Sequence, residues 1–189
     1  MLDVKGEVKT MLKGIVYHGS MEDNIEILTP QIGTHRKKCV YATRNKCVSL
    51  LFANRGNKDL DTMIGTINGK LIVVERREGV LKELYDHKGY IYVLDDKTFS
   101  HYKYLWSKEL ISFSSVKVKN KIEVPNILKK LENEEVKKHI KIYHYPDRPS
   151  SVPLDNSDLI TKYKIFEERG LKGSIDKLLS VYPEFKDRL

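Results

Sequence analysis

Five residues in the first third of the chain have types and spacings that suit the binding of a flat aromatic amide. His18 and Gly19 end the apolar stretch GIVYHGS, and Tyr41 follows in CVYAT. Ser49 and Phe52 come eight and eleven residues after Tyr41. A glycine backbone can be approached closely, so its N–H and C=O can pair with an amide, to which Ser49 can also donate. Tyr41 and Phe52 can then cover both faces of the ring, at about 1 kcal/mol per stacking contact beyond burial.

A carboxylate would complete this set. Glu109 stands in LWSKELISFSSVKV, directly before an expected strand. A carboxylate beside a ribose can bond the 2′-hydroxyl, stabilise an oxocarbenium-like cation, and orient or deprotonate an incoming nucleophile. Glu123, Asp95 and Asp96 compete with Glu109 for this role.

The stretches YHGS and VYATRNKCVSLLFA resemble the NAD-binding core of ADP-ribosyltransferases of the diphtheria-toxin and poly(ADP-ribose) polymerase type. In that family a His-Gly pair ends the first core strand. A strand tyrosine follows, with a serine eight residues later and an aromatic residue eleven residues later on the next helix. The resemblance covers roughly residues 14–124. It implies an enzyme that takes NAD as its substrate, releases nicotinamide and passes ADP-ribose to a protein or nucleic-acid acceptor.

The resemblance also implies a role for each residue. His18 would hydrogen-bond a ribose hydroxyl of NAD, and the backbone of Gly19 would hold the nicotinamide carboxamide. The acid that opens the late strand would be Glu109. The implied catalytic residues are His18, Tyr41 and Glu109, and the implied NAD-binding residues are His18, Gly19, Ser20, Tyr41, Ser49 and Phe52.

The charge balance leaves two other functions open. The chain has 34 Lys and Arg against 26 Asp and Glu, a net charge of +8, with its basic residues spread along the sequence. Such a balance fits a solvated lysine-rich surface or a non-catalytic module that binds nucleotides or nucleic acid. An RNA 2′-phosphotransferase-like enzyme on a related fold would need arginines beside His18. The available arginines are Arg36, Arg44, Arg55, Arg76 and Arg77.

The cysteines and the hydropathy pattern indicate a cytoplasmic protein without a metal. Cys39 and Cys47 lie in apolar surroundings, as reduced buried thiols do. A zinc site made of these two and His35 has no common ligand spacing and no fourth ligand, so we reject it. No apolar run approaches 18 residues, so we expect neither a membrane span nor a signal peptide.

Short stretches rich in Val, Ile and Tyr predict most of the strands. The expected strands are Gly14–His18, Cys39–Thr43, Met63–Ile67, Lys70–Glu75, Gly89–Leu94 and Leu110–Val118, with Lys121–Val124 as an extension. Asn68-Gly69 between two apolar runs predicts a hairpin. A helix is expected after Thr43 as N-cap, ending at Gly56, and another in REGVLKELYDHKG. The first dozen residues also read as a short helix.

These elements predict an α+β protein. Residues 1–124 should form a split body of two packed, mostly antiparallel sheets with flanking helices. Residues 125–189 should form a helical extension. It would begin with a helix in PNILKKLENEEVKKHIKIY, whose apolar residues keep helical spacing as far as Ile140, and end with two helices broken at Gly170–Gly173.

Overall fold

The computed structural model describes residues 14–32, 37–55, 58–103, 105–171 and 173–189. The strands are β1 (Ile15–Ser20), β2 (Ile27–Leu28), β3 (Gln31–Ile32), β4 (Lys38–Ala42), β5 (Thr62–Ile67), β6 (Lys70–Glu75), β7 (Gly89–Asp95), β8 (Leu110–Ser112), β9 (Val116–Val124) and β10 (Ile140–Tyr143). The helices are α1 (Lys46–Phe52), α2 (Lys58–Asp61), α3 (Val80–Tyr85), α4 (Ile127–Val136), α5 (Asp158–Glu168) and α6 (Ser174–Val181), with a final 3-10 helix over Pro183–Arg188. The helix predicted for the first dozen residues lies outside the described residues. So does Gly56, the predicted end of the helix that follows Thr43.

The chain divides into two compact units. The first unit contains residues 1–53 and 88–125, and the second contains residues 54–87 and 126–189. The sequence predicted one boundary after residue 124, and the last change of unit along the chain follows Pro125. The structure differs at residues 54–87, which carry the β5–β6 hairpin and α3 and belong with the C-terminal part.

Two antiparallel sheets form the first unit, in agreement with the predicted α+β class. One sheet has the order β1-β7-β9-β2 and the other the order β3-β4-β8. Among the described residues one backbone bridge joins them, in which Tyr17 and Thr43 exchange hydrogen bonds of 2.7 and 2.9 Å. The predicted strand Leu110–Val118 is broken between Ser112 and Val116, and its second half continues through the predicted extension.

Alternate residues of the central strands build the core of the first unit. Val16 of β1, Val40 and Ala42 of β4, and Leu94 of β7 are all buried in it. Side chains alternate between the two faces of a strand, so Tyr17, Gly19 and Tyr41 belong to the opposite face. The helix α1 packs on β1, and a Cβ built on Gly19 would point into this helix.

A three-stranded sheet of order β10-β6-β5 lies in the second unit. The predicted hairpin is confirmed: Asn68 and Gly69 have φ of 49° and 78°, as a two-residue primed turn requires. The prediction of a helix reaching Ile140 is wrong. The helix α4 ends at Val136, Lys138 adopts a φ of 61°, and Ile140–Tyr143 pairs in parallel with β6.

Helix ends follow local side-chain chemistry. Asn45, and not the predicted Thr43, caps α1, because its Oδ1 accepts from the backbone N–H groups of Cys47 and Val48. The break between α5 and α6 is confirmed, with Gly170 and Gly173 at φ of 72° and 81°. Within the described ranges, no helix combines the length and hydropathy needed to cross a membrane.

Candidate functional site

The backbone pairing of β1 with β4 stops just before Gly19, which is itself buried. Successive residues of a strand direct their backbone N–H and C=O to alternate edges, so Gly19 presents its groups on the same edge as Tyr17. Tyr17 uses that edge to bond Thr43. Among the described residues this is an isolated bridge, and the backbone pairing of β1 with β4 does not continue past it. The two strands therefore separate at Gly19.

The ring of His18 fills part of the place where that pairing would continue. A regular antiparallel register would set Gly19 opposite Tyr41, but the Tyr41 carbonyl accepts instead from Nδ1 of His18 at 2.8 Å. A carbonyl oxygen cannot donate, so Nδ1 carries the hydrogen and Nε2 of the neutral ring keeps a lone pair. Burial lowers the pKa of His18 below 6.5, against the opposite influence of the Tyr41 carbonyl and of Glu22. His18 is therefore neutral at pH 7.

Close packing on α1 explains why residue 19 is a glycine. A Cβ at this position would lie 1.7 Å from the backbone oxygen and 2.8 Å from the carbonyl carbon of Ser49, and 3.2 Å from the backbone nitrogen of Ala53. The sequence suggested that the missing side chain gives a ligand access. In the structure the space belongs to the helix, which holds the Gly19 backbone in place.

Ser49 is buried and already donates a hydrogen bond. Its Oγ contacts the carbonyl of Lys46 at 2.8 Å, a common bond for a serine inside a helix. A donation from Ser49 to a ligand amide would require this bond to break, whereas its lone pairs can accept without that cost. Ser20, the last residue of β1, accepts at Oγ from the backbone N–H of Glu22 at 3.0 Å.

The two aromatic residues named from their spacing are half-buried. Tyr41 lies in β4 opposite Ile111 of β8, and Phe52 is the last residue of α1. Tyr41 faces away from the core that holds Val40 and Ala42. It thus shares its side of the β-structure with Tyr17, whose ring centroid lies 5.2 Å from the Lys46 ammonium at the start of α1.

Glu109 precedes β8 and is fixed by a tight turn. The backbone N–H of Glu109 donates to the carbonyl of Trp106 at 2.8 Å, and the N–H of Trp106 donates to Oε2 of Glu109 at 3.2 Å. The pairing of Ala42 with Leu110 makes Glu109 the neighbour of Thr43 across the strands.

The three competing acids each have a basic partner. Glu123 lies 3.0 Å from the ammonium of Lys88, Asp95 lies 2.7 Å from Lys119, and Asp96 lies 2.7 Å from Arg44. Glu123 and Asp95 belong to the β7–β9 pairing rather than to β8.

No family model, curated protein or solved structure matches this chain. The likeness to ADP-ribosyltransferases is confined to the short motifs around His18, Tyr41 and Ser49.

The candidate zinc ligands and the arginines named from the sequence lie in different parts of the chain. Within the part of the chain that the structure describes, no three His, Cys, Asp or Glu residues are grouped to hold a metal ion. Cys39 and Cys47 are buried free thiols, and His35 lies outside the described residues. Arg44 is the one described arginine of the first unit, while Arg36 lies outside the described residues. The second unit contains Arg55, Arg76 and Arg77.

A polar cluster in the second unit has no counterpart in the sequence predictions. Arg76 is 3% exposed and donates to both carboxylate oxygens of Asp158, at 2.9 and 2.6 Å. Arg148 donates to the Asn156 side chain at 2.6 Å and to the carbonyl of Arg76 at 2.7 Å. These bonds fix the proline-rich loop and the start of α5 to the end of β6, which assigns the cluster a structural role. Of its members only Arg76 was named from the sequence, and its partners Asn156 and Asp158 lie 80 and 82 residues away.

Proposed function

We propose that this protein is an NAD-dependent ADP-ribosyltransferase, which hydrolyses NAD when no acceptor is present. The observation that carries the proposal is the end of the β1–β4 backbone pairing before Gly19, whose N–H and C=O point to the same edge as those of Tyr17. A primary carboxamide has an N–H donor and a carbonyl acceptor, and a single residue of a free strand edge offers the complementary C=O and N–H. Gly19 offers this pair at the point where β1 and β4 separate.

The residues around Gly19 support nicotinamide as the group bound there. Tyr41 and Phe52 supply aromatic rings from β4 and from the end of α1, the helix that touches Gly19. Stacking on a flat cationic ring is favourable for both side chains. The neutral His18 has a lone pair on Nε2, which can accept a hydrogen bond from a ribose hydroxyl. Together these groups suit a nicotinamide riboside.

In the proposed reaction, the bond between C1′ of the ribose and N1 of nicotinamide breaks. Its electron pair goes to the nicotinamide ring, and the sugar becomes an oxocarbenium-like cation. Glu109 accepts a hydrogen bond from the 2′-hydroxyl, and its negative charge stabilises the cation. The acceptor then bonds C1′ and releases a proton to Glu109 or to water. Water in place of the acceptor gives free ADP-ribose.

The release of nicotinamide from NAD tests this proposal. We expect Glu109→Gln to lower the rate about 10²–10³-fold, because the amide keeps the size of the side chain but removes the charge that stabilises the cation. Glu123→Gln is the matched control, since it removes an exposed carboxylate of β9 and should leave the rate within about twofold.

The outcomes separate the alternatives. A loss confined to Glu123→Gln would transfer the acid role to Glu123. An unchanged rate in both variants would remove carboxylate catalysis from the mechanism. A wild-type protein that neither releases nicotinamide nor binds NAD would contradict the proposal and favour a non-catalytic binding module.

A further inference from the structure

A basic groove lies in the first unit on the strand pair β7–β9. It has a volume of about 450 Å³ and is lined by Asp95, Lys97, Thr98 and the run from Ser115 to Lys119. The lining thus contains three lysines and one carboxylate. Asp95 binds Lys119 at 2.7 Å and Lys97 at 3.7 Å, and Lys117 has no ion pair with any described residue.

A β-bulge lies at Lys119 in this groove. Leu94 pairs with Val118 and Val93 with Asn120, so Lys119 is an extra residue in β9. Lys97 and Lys119 are 84% and 52% exposed. Like charges held side by side on a sheet are unfavourable unless an anion offsets them. The hydroxyls of Thr98 and Ser115 add neutral hydrogen-bond donors, as phosphate-binding surfaces commonly do.

The distribution of charge between the units favours an anionic partner for the first unit. The first unit has 15 Lys and Arg against 9 Asp and Glu, whereas the second has 19 against 17. Most of the net charge of +8 therefore belongs to the unit that contains the groove. Such an excess raises the local concentration of a polyanion and accelerates its association.

The groove lies on the same sheet as β1, which carries Gly19 of the proposed NAD site. Asp95 pairs with Ile15 of β1, and Gly19 lies four residues further along the same strand, or about 13 Å away. The segment that carries Lys97 and Thr98 continues to Ser100, which exchanges backbone bonds of 2.9 and 3.0 Å with Ile111, two residues after Glu109.

We propose that this groove binds a nucleic-acid strand through its phosphodiester backbone. Phosphates arranged along a strand would meet Lys97, Lys117 and Lys119, with Thr98 and Ser115 as additional donors. That the bound strand is the acceptor of ADP-ribose is a consequence that rests on the proposed function. The binding itself does not depend on NAD.

Fluorescence anisotropy with a labelled single-stranded oligonucleotide tests the groove in the absence of NAD. Three phosphate contacts predict a slope of about −2 for the logarithm of the binding constant against the logarithm of salt concentration. We expect the triple variant Lys97→Gln, Lys117→Gln, Lys119→Gln to bind at least about tenfold more weakly and to flatten this slope. The matched control removes three exposed lysines of the second unit, by Lys129→Gln, Lys164→Gln and Lys177→Gln, and should bind within about twofold of the wild type.

Several results would overturn the inference. These are the absence of binding by the wild type, an equal loss in the control variant, or a binding constant that does not change with salt. Poly-glutamate that competes as well as the oligonucleotide would identify a general anion surface instead. DNA and RNA versions of the oligonucleotide distinguish the two sources of the phosphodiester backbone. Nicotinamide release without nucleic acid is measured separately, so failure of the groove and failure of the proposed reaction remain distinguishable.

Discussion

His18 connects two parts of the candidate site through one hydrogen bond. Its Nδ1–H caps the Tyr41 carbonyl at 2.8 Å, which fixes both the ring and the tautomer. The same bond keeps the Tyr41 carbonyl from pairing with Gly19. A protonated ring would lose the Nε2 lone pair that the proposed ribose contact requires. The protonation state of His18 therefore matters for stability and for ligand binding.

The lowered pKa of His18 predicts a measurable dependence of stability on pH. Burial holds the folded pKa below the ordinary value of 6.5. Below about pH 6.5 the unfolded chain binds a proton that the folded His18 does not, so the free energy of unfolding falls as the pH is lowered further. This residue can contribute a slope of at most about 1.4 kcal/mol per pH unit.

Urea denaturation of variants between pH 7 and pH 5 checks this prediction. His18→Gln should show a smaller loss of stability on acidification than the wild type, because glutamine does not titrate. The exposed His101→Gln should follow the wild-type curve and serves as the control. Parallel curves for all three proteins would show that His18 does not resist protonation in the folded state.

At the residue level, the sequence indicates the elements that carry the candidate residues but not the contacts of those residues. The spacing from Tyr41 to Ser49 and Phe52 follows from a strand, a short loop and a helix, all of which local patterns indicate. The contact between Gly19 and the Ser49 backbone depends on how α1 packs on β1, which no local pattern encodes. The bond from Ser49 to Lys46 likewise depends on the helix register.

At the level of elements, the contact of β1 with α1 predicts a severe effect of Gly19→Ala. The new methyl group would meet backbone atoms of Ser49 that cannot rotate away, so the helix or the strand must shift. We expect a loss of about 3 kcal/mol or more in the free energy of unfolding, at the upper end for overpacking. Urea denaturation measures this loss.

Gly65→Ala in β5 is the matched control for that variant. Its Cβ would meet only the flexible end of the Met63 side chain, 2.9 Å from Cε, which can move at little cost. Alanine is also the better strand residue by about 0.5–1 kcal/mol. Gly65→Ala should therefore be nearly neutral. Equal stability of the Gly19→Ala and Gly65→Ala proteins would exclude the close approach of α1 to β1.

The elements that the sequence predicted correctly are those with local signals. The turn at Asn68-Gly69 is one example, since both residues tolerate a positive φ. β10 is the opposite case, because its apolar residues continue the helical spacing of α4. It becomes a strand by pairing in parallel with β6, about 70 residues earlier in the chain. Pairing over such a separation cannot be read from periodicity.

At the level of the whole molecule, the two units divide the chain differently from the predicted body and extension. Residues 54–87 join the C-terminal part because β6 contributes the middle strand of its sheet. The first unit contains every residue of the candidate site together with the basic groove. The groove was not predicted from the sequence. The alternation KVKNK in β9 carries two of its lysines, which form no dense basic cluster in the sequence.

The most direct test of the central claim is the backbone amide resonance of Gly19 in a ¹⁵N-labelled sample titrated with NAD. If the nicotinamide carboxamide accepts a hydrogen bond from Gly19, this resonance should move strongly, together with that of Tyr41, and resonances of the second unit should not. ADP-ribose, which lacks the nicotinamide, should leave the Gly19 resonance nearly unmoved. A Gly19 resonance that stays in place at saturating NAD, or that moves equally with ADP-ribose, would contradict the claim that this strand edge binds nicotinamide.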